Sequence, residues 1–269
     1  MQKIFGAVVV AAGHGTFNGR AKILEEVDGI PMISRIVRAV RAVSTGTCAV
    51  VVNPRFGREV TSTLAGTNDN HCAMVVQPKR FGTAEAVERA LPRLKKEGVT
   101  DFLALYADMP LWSPDTFSSL MQLHCAHDAD LSMVTIALTN AHPAVVQRYG
   151  RIMRDPSGGI DRIFEVGQLQ ESSPFTGSVS PSLFVIKLSW FEAHSAKIPV
   201  TVHKRDGYPE ERWLPSFVGI THDVGGKIAD LELADANEAL GVNTPHELAF
   251  VREIARQRQK NSEIQGASI

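Results

Sequence analysis

The sequence lacks an excess of charge of either sign. Its 28 lysines and arginines nearly balance 29 aspartates and glutamates, so 269 residues carry a formal net charge of -1. A protein that follows a phosphate backbone needs a surplus of positive charge, and the composition therefore argues against nucleic acid as a main partner. We expect small-molecule ligands instead.

Cysteines are few, and long apolar runs are missing. The three cysteines, Cys48, Cys72 and Cys125, cannot form a disulfide framework and have no CxxC spacing that would indicate zinc. No segment approaches the ~20 apolar residues that cross a bilayer. The apolar stretch over residues 4–12 is short for the core of a secretory signal. The sequence thus predicts a cytoplasmic protein with reduced thiols and no membrane segment.

Short apolar runs alternate with helical patterns along the first half of the chain. The runs are continuous rather than alternating, which predicts strands buried on both faces, at residues 4–10, 48–52, 73–76, 102–106 and 131–137. Apolar residues recur every three or four positions in the helical segments, which are residues 31–43, 83–96 and 114–127. This order predicts an α/β fold with a doubly wound, mostly parallel sheet, whose ligands bind beyond the carboxyl ends of the strands.

After about residue 140 the composition shifts to Gly, Ser and Pro between short strands. We interpret residues 140–220 as a small antiparallel β extension on the acceptor side of the site. A helix should begin near Asn243 or Thr244, which are good caps, with Pro245 in its first turn. We expect one domain over residues 1–255 and a polar tail over residues 256–269 that frays from Gln257.

A glycine-rich segment directly follows the first predicted strand. Its small residues allow backbone N–H groups to approach a bound phosphate, and they are Ala11, Ala12, Gly13, His14, Gly15 and Thr16. Taken alone the glycines are weak support, because a tight turn without a ligand also uses them. No GK[ST] follows, which excludes a P-loop, and the spacing of Gly13, Gly15 and Gly19 disfavours a dinucleotide fingerprint.

From this segment onward the chain resembles the sugar-nucleotide pyrophosphorylases. The run VVVAAGHGTFNGRAKILEEVDGIPMI is similar to their opening pattern of a glycine-rich loop, a Pro-Lys-x-Leu and a Gly-x-Pro-Met. Further matches follow in order at residues 77–78, 82–84, 106–111, 149–152, 165 and 241–244. The spacing most resembles the uridyltransferase domain of the bifunctional bacterial N-acetylglucosamine-1-phosphate uridyltransferases.

The resemblance implies a Mg²⁺-dependent nucleotidyltransferase with a Rossmann-like fold. Such an enzyme joins a sugar-1-phosphate, N-acetylglucosamine-1-phosphate or a similar compound, to a nucleoside triphosphate, with UTP favoured, and releases pyrophosphate. By the same resemblance Asp108 and Asn243 hold the metal, and Lys22 contacts the phosphates. The remaining implied contacts are with the nucleotide for residues 11–16, Gln77, Gly82 and Thr83, and with the sugar for Gly150, Glu165 and Ser180.

Departures from the family pattern leave alternatives open. Phe17 stands where the family has the arginine that steadies the leaving pyrophosphate, and Arg20 is our candidate substitute in the shortened stretch that follows. Residues 180–182 and 210–213 replace two sugar-side motifs of the family. The alternatives are a catalytically weakened nucleotide-binding protein and a cytidylyl- or guanylyltransferase that acts on another phosphorylated acceptor.

The final residues, 257–269, lack the hexapeptide periodicity of the acetyltransferase domain found in the bifunctional enzymes. We therefore expect a stand-alone nucleotidyltransferase without acetyltransferase activity, which is a monomer or homodimer in solution.

Overall fold

The strand pattern read from the sequence forms one large sheet. The computed structural model describes residues 3–69, 71–140, 148–165, 177–202 and 210–266. The predicted strands all form within one residue of the expected ends: β1 (Phe5–Ala11), β2 (Cys48–Val52), β3 (Ala73–Val76), β4 (Asp101–Tyr106) and β5 (Leu131–Ala137). The α/β prediction is confirmed.

Four helices accompany these strands, and the sequence predicted three of them. They are α1 (Met32–Arg41), α2 (Gly57–Gly66), α3 (Thr83–Lys96) and α4 (Pro114–Ala126). The sequence did not predict α2, which buries only Val60 and Leu64 and is otherwise polar. In α4, Ser113 caps the helix by accepting a hydrogen bond from the Thr116 N–H at 3.1 Å, and Pro114 follows.

The later strands widen this sheet. They are β6 (Gly150–Arg154), β7 (Ile160–Phe164), β8 (Ser178–Ser180), β9 (Phe184–Lys187) and β10 (Ile228–Glu232). The spatial order is β7-β6-β8-β5-β9-β4-β1-β2-β3, and β10 pairs with β5 outside this path. Strands β3, β2, β1 and β4 are parallel to one another, while β9 is antiparallel to both β4 and β5. The antiparallel extension of β6, β7 and β8 joins the sheet through β5.

Side chains on the two faces of the sheet enter two separate cores, which explains the continuous apolar runs. In the first core, Phe5, Ala7 and Val9 of β1 pack with α1, α2 and α4. In the second core, on the opposite face, Val8 of β1 packs with α3. The second core also contains apolar side chains of the helices α5 (Leu188–His194) and α6 (Ser216–Asp223). Helices therefore cover both faces, as a doubly wound sheet requires.

The last helix, α7, spans Pro245–Gly266. It begins where the sequence predicts: Thr244 Oγ1 accepts from the Glu247 N–H at 3.2 Å, and Glu247 Oε2 accepts from the Asn243 and Thr244 N–H groups at 2.7 and 2.8 Å. The sequence predicts fraying from Gln257, whereas the helix continues to Gly266. Arg258 stabilises this part of the helix, because it donates to the Leu111 carbonyl at 2.8 Å and to Asp235 at 2.7 Å.

Across the described ranges, no helix combines the length and hydropathy needed to span a membrane.

Replacing Phe191 with alanine should weaken the second core most directly. Its ring lies edge-on to Phe102 of β4 at 5.9 Å and to Phe217 of α6 at 4.8 Å between centroids. We expect Phe191→Ala to lower the free energy of unfolding by about 3–5 kcal/mol, because the lost ring leaves a cavity. Urea denaturation measures the loss. Val202→Ala, at a side chain that is 69% exposed, is the control and should stay within about 0.5 kcal/mol of the wild type.

Candidate active site

Three predicted site residues meet at the carboxyl edge of β4. The ammonium of Lys22 donates to Asp108 Oδ2 at 2.6 Å, to Asn243 Oδ1 at 2.7 Å and to the Val242 carbonyl at 2.8 Å. Asp108 and Asn243 are 86 and 221 positions from Lys22 in the sequence. The Val242 N–H also donates to the Asp108 carbonyl at 2.9 Å. The fold thus assembles one charged cluster from the chain's beginning, middle and end.

The oxygens of Asp108 and Asn243 suit a divalent cation. Both contact the same ammonium group, so they converge on one position that already attracts positive charge. A carboxylate and an amide oxygen are hard ligands of the kind that Mg²⁺ takes from proteins. The residues therefore fit the metal that the resemblance implies.

A second group of possible metal ligands behaves as an ion-pair network. Asp161, His222 and Asp223 place one ligand atom each within 4.8 Å of one another. The Arg162 guanidinium lies 2.9 Å from Asp161 and 3.1 Å from Asp223, so it already compensates both carboxylates. We assign no metal to this group.

A tight hairpin directs Lys22 into the cluster. Residues Thr16–Phe17 pair with Arg20–Ala21, and the two turn residues, Asn18 and Gly19, have φ of 51° and 82°. Positive φ at both positions is typical of a type I′ turn, for which Asn-Gly is the favoured pair. The Lys22 N–H donates to the Gly15 carbonyl at 3.0 Å. A Cβ at Gly15 would lie 3.1 Å from Lys22 Cδ, so the missing side chain leaves space for the lysine stem.

Asn53, a residue that sequence analysis missed, supports the glycine-rich loop of residues 11–16 through hydrogen bonds. Its side chain is 2% exposed at the end of β2. Nδ2 donates to the Gly13 carbonyl at 2.7 Å and the Ala12 carbonyl at 3.2 Å, while Oδ1 accepts from the Phe56 N–H at 3.0 Å. The sequence signal that could have identified Asn53 is a polar residue directly after an otherwise apolar strand. In the loop itself, Ala11 and Ala12 are buried and residues 13–16 are exposed.

Arg20 does not join the cluster. Its Nε donates to Glu59 Oε1 on α2 at 2.8 Å, and the side chain is 53% exposed. Phe17, which replaces the family arginine, packs against the first core. In this structure neither position contributes positive charge beside Lys22, and a phosphate-binding role for Arg20 stays a prediction.

The predicted base-side residues lie together at the start of α3. Gln77 Nε2 donates to the Gly82 carbonyl at 2.9 Å and to Glu85 at 2.5 Å, and Thr83 Oγ1 accepts from the Leu214 N–H at 2.9 Å. Gly82 has φ of 87°, and a Cβ there would lie 2.3 Å from the Arg212 carbonyl oxygen. Only glycine allows the strand at Glu211–Arg212 to pass this close.

A cavity of about 300 Å³ opens beside the charged cluster. Of the predicted site residues, the structure places the following in its lining: Thr83, Asp108, Gly150, Glu165, Ser180 and Asn243. Gly150 cannot carry a side chain, because its Cβ would lie 2.4 Å from Ile163 Cγ2. Burial raises the pKa of Glu165 to about 6. The antiparallel extension of β6, β7 and β8 therefore supplies one wall of the cavity.

Aromatic side chains that the sequence did not assign to the site form much of the remaining wall. Tyr106, Tyr149, Trp213 and Phe250 line the cavity. The Tyr149 hydroxyl donates to the Ala239 carbonyl, and burial raises the pKa of both tyrosines. Such residues read as core in a sequence, because only the tertiary structure exposes one side of each to a cavity.

Comparison with known proteins gives a consistent family. The MobA-like NTP transferase domain family matches residues 7–155, which is more than half of the chain. The bifunctional protein GlmU of Brevibacillus brevis is 30% identical over 260 residues, covering 96% of this chain and 53% of that protein. The chain thus spans about half the length of the curated relatives it matches.

Solved structures share the fold at low sequence identity. A CMP:2-keto-3-deoxy-manno-octonic acid synthetase complexed with CTP aligns with a TM-score of 0.65 at 13% identity, over 96% of this chain and 100% of that one. The 4-diphosphocytidyl-2C-methyl-D-erythritol synthase of Anaerococcus prevotii aligns with a TM-score of 0.63 at 13% identity, over 94% and 99%. These structures show a shared fold, and the family match over residues 7–155 shows that the chain belongs to the MobA-like NTP transferase domain family.

Proposed function

We propose that the protein transfers a uridylyl group from UTP to a sugar-1-phosphate, N-acetylglucosamine-1-phosphate or a close analogue, and releases pyrophosphate. The observation that carries this proposal is the convergence of Lys22, Asp108 and Asn243 at the mouth of a cavity. The choice of UTP and of an amino-sugar phosphate rests on the resemblance of the motifs to the uridyltransferase domain of the bifunctional N-acetylglucosamine-1-phosphate uridyltransferases. The similarity to the bifunctional protein GlmU over nearly the whole chain is consistent with a nucleotidyltransferase.

The reaction needs positioning and charge neutralisation rather than proton transfer. The acceptor phosphate is ionised at neutral pH, so its oxygen attacks the α-phosphorus in line while the bond to pyrophosphate breaks. Lys22 and the backbone of residues 13–16 face the negative charge of the phosphates. When bound by Asp108 and Asn243, Mg²⁺ supplies further positive charge against the phosphate oxygens. No side chain acts as a general base in this scheme.

The two ligands occupy opposite sides of the charged cluster in our proposal. The base lies near Gln77, Gly82 and Thr83, where an amide and main-chain groups offer directional hydrogen bonds. The sugar lies in the cavity lined by Gly150, Glu165 and the aromatic residues. Thr83 belongs to both sides, and Asp108 and Asn243 of the charged cluster line the same cavity as Thr83. The two ligands therefore meet beside the charged cluster.

The second candidate is a nucleotide-binding protein with weakened catalysis. Arg20 is paired with Glu59, and Phe17 packs into the core. A missing arginine beside the leaving pyrophosphate would remove transition-state stabilisation while leaving nucleotide binding intact. Turnover measurements separate this candidate from an active enzyme.

The proposal is tested with a panel of the four nucleoside triphosphates and several sugar-1-phosphates, in the presence of Mg²⁺. We expect pyrophosphate release to be fastest with UTP and N-acetylglucosamine-1-phosphate. Asp108→Asn is the matched control and should lower kcat by at least about 10³-fold with the fold intact, because it removes the charged member of the metal pair. Activity of this variant within threefold of the wild type would remove Asp108 from the metal site. Nucleotide binding without turnover would favour the second candidate.

Lys22→Ala should weaken triphosphate binding more than Arg20→Ala does. Lys22 lies in the cluster, whereas Arg20 points to Glu59, and its exposed ion pair contributes little. We expect a loss of about tenfold or more in affinity for Lys22→Ala and less than about twofold for Arg20→Ala. Isothermal titration with UTP and Mg²⁺ measures both. A larger loss at Arg20 would show that the shortened hairpin gives the phosphate contact to that residue.

The affinity for the acceptor should fall as the pH drops through about 6, where the buried carboxyl of Glu165 titrates. Above this pH the carboxylate accepts hydrogen bonds from sugar hydroxyls, and below it one oxygen becomes a donor. We expect the acceptor KM to rise roughly tenfold between pH 7 and pH 5. Glu165→Gln cannot titrate, so it corrects for ionisation of the substrate phosphate itself. Parallel pH profiles for wild type and variant would contradict a role for Glu165.

A further inference from the structure

Two of the three cysteines lie side by side on neighbouring strands. In the parallel pairing of β2 with β3, Ala49 is opposite Ala73, so Cys48 and Cys72 are opposite each other one residue earlier. Both side chains pack against the first core and therefore lie on the same face of the sheet. Each thiol shifts the pKa of the other, as close neighbours do.

The spacing of paired strands suits a disulfide at this position. Neighbouring strands are about 4.8 Å apart, which falls within the ~4.4–6.8 Å range of Cα separations that disulfides span. Cys72 immediately precedes β3, at the end of the connection from α2. A sulfur–sulfur bond here joins residues that the sheet already holds together.

The two thiols differ in reactivity. The hydrogen bond from the Cys48 thiol lowers the pKa of Cys72, and the nearby Arg41 lowers it further, against burial and the charge of Asp69. The same hydrogen bond, together with burial, raises the pKa of Cys48. Cys72 is also partly exposed, whereas Cys48 is 3% exposed. A partly exposed cysteine with a lowered pKa beside a buried thiol is the arrangement of a peroxide-reactive cysteine with its resolving partner.

We propose that Cys72 is a site of oxidation by hydrogen peroxide and that Cys48 resolves the product as a Cys48–Cys72 disulfide. The Cys72 thiolate attacks one peroxide oxygen, the O–O bond breaks, and the departing hydroxide takes up a proton to become water. The sulfur of Cys48 then attacks the sulfenic acid of Cys72. Its thiol proton leaves with the sulfenic hydroxyl as a second water. Two thiols and one peroxide thus give one disulfide and two waters, with two electrons passing from sulfur to oxygen.

The bond would close the chain segment between the two strands. This segment contains α2 and Asn53, and β3 is the edge strand that leads directly into Gln77. Among the described strands β3 pairs with β2 alone, so oxidation ties this edge strand to β2 at the end remote from the glycine-rich loop of residues 11–16. The modification concerns the strand pair and does not depend on the nucleotide or the acceptor.

The test treats the full-length protein with hydrogen peroxide, blocks the remaining thiols with N-ethylmaleimide and maps tryptic peptides by mass spectrometry. We expect a cross-linked species of peptides 42–55 and 59–79 that disappears on treatment with dithiothreitol. Cys125, which is exposed, is the internal comparison and should be oxidised at least roughly tenfold more slowly than Cys72. Absence of the cross-link, or faster oxidation of Cys125, overturns the proposal.

Three variants distinguish the roles of the cysteines. Cys125→Ser should form the cross-link at the wild-type rate. Cys48→Ala should still be oxidised at Cys72 but should stop at a sulfenic acid that dimedone traps. Cys72→Ser should form no cross-link and should show no cysteine oxidation faster than that of Cys125. Dimedone labelling at Cys48 in the wild type, with Cys72 unlabelled, would reverse the assigned roles and contradict the proposal. Because Cys72 is only partly buried, its serine variant keeps the test valid if Cys48→Ala does not fold.

Discussion

The ammonium of Lys22 holds the site together through three oxygens from distant parts of the chain. Asp108 follows a buried strand, where an unpaired carboxylate is poorly tolerated. Two local features direct Lys22 to this position: the Asn18-Gly19 turn reverses the chain, and Gly15 leaves space for the lysine stem. A third, the hydrogen bond from the Val242 N–H to the Asp108 carbonyl, joins the segment before α7 to the loop after β4. Neutralisation of the Asp108 carboxylate thus constrains three loops: the hairpin before Lys22, the loop after β4 and the segment before α7.

The sequence predicted the central elements because their burial is uniform. Strand β5 was predicted at its observed ends, since its apolar side chains enter both cores: Leu131 and Met133 the second, Val134 and Ile136 the first. Helix α2 escaped prediction for the opposite reason. Only two of its side chains are buried, too few to produce a helical period. The end of α7 was misplaced because Arg258 stabilises it through contacts with residues 111 and 235, which the local sequence does not reveal.

The same contrast applies to the site. Family motifs pointed to Lys22, Asp108 and Asn243, and the structure places the last two within hydrogen-bonding distance of the Lys22 ammonium. The orientation of Arg20 could not be predicted, because it depends on Glu59 in the helix that the sequence missed. Asn53 escaped notice because it acts through a loop that is distant in sequence. Trp213 lies in a segment that the sequence related to the sugar side, but its place in the cavity lining is set by the tertiary structure.

The close passage of the Glu211–Arg212 strand over Gly82 restricts how this site can diversify. Arg212 donates its N–H to the Phe81 carbonyl, Leu214 donates to Thr83, and Trp213 between them lines the acceptor cavity. One short segment is therefore shared by the proposed base side and the proposed sugar side. An insertion that enlarged the cavity here would also displace the start of α3, so new acceptor preferences are more readily reached by exchanging side chains than by changing the segment's length.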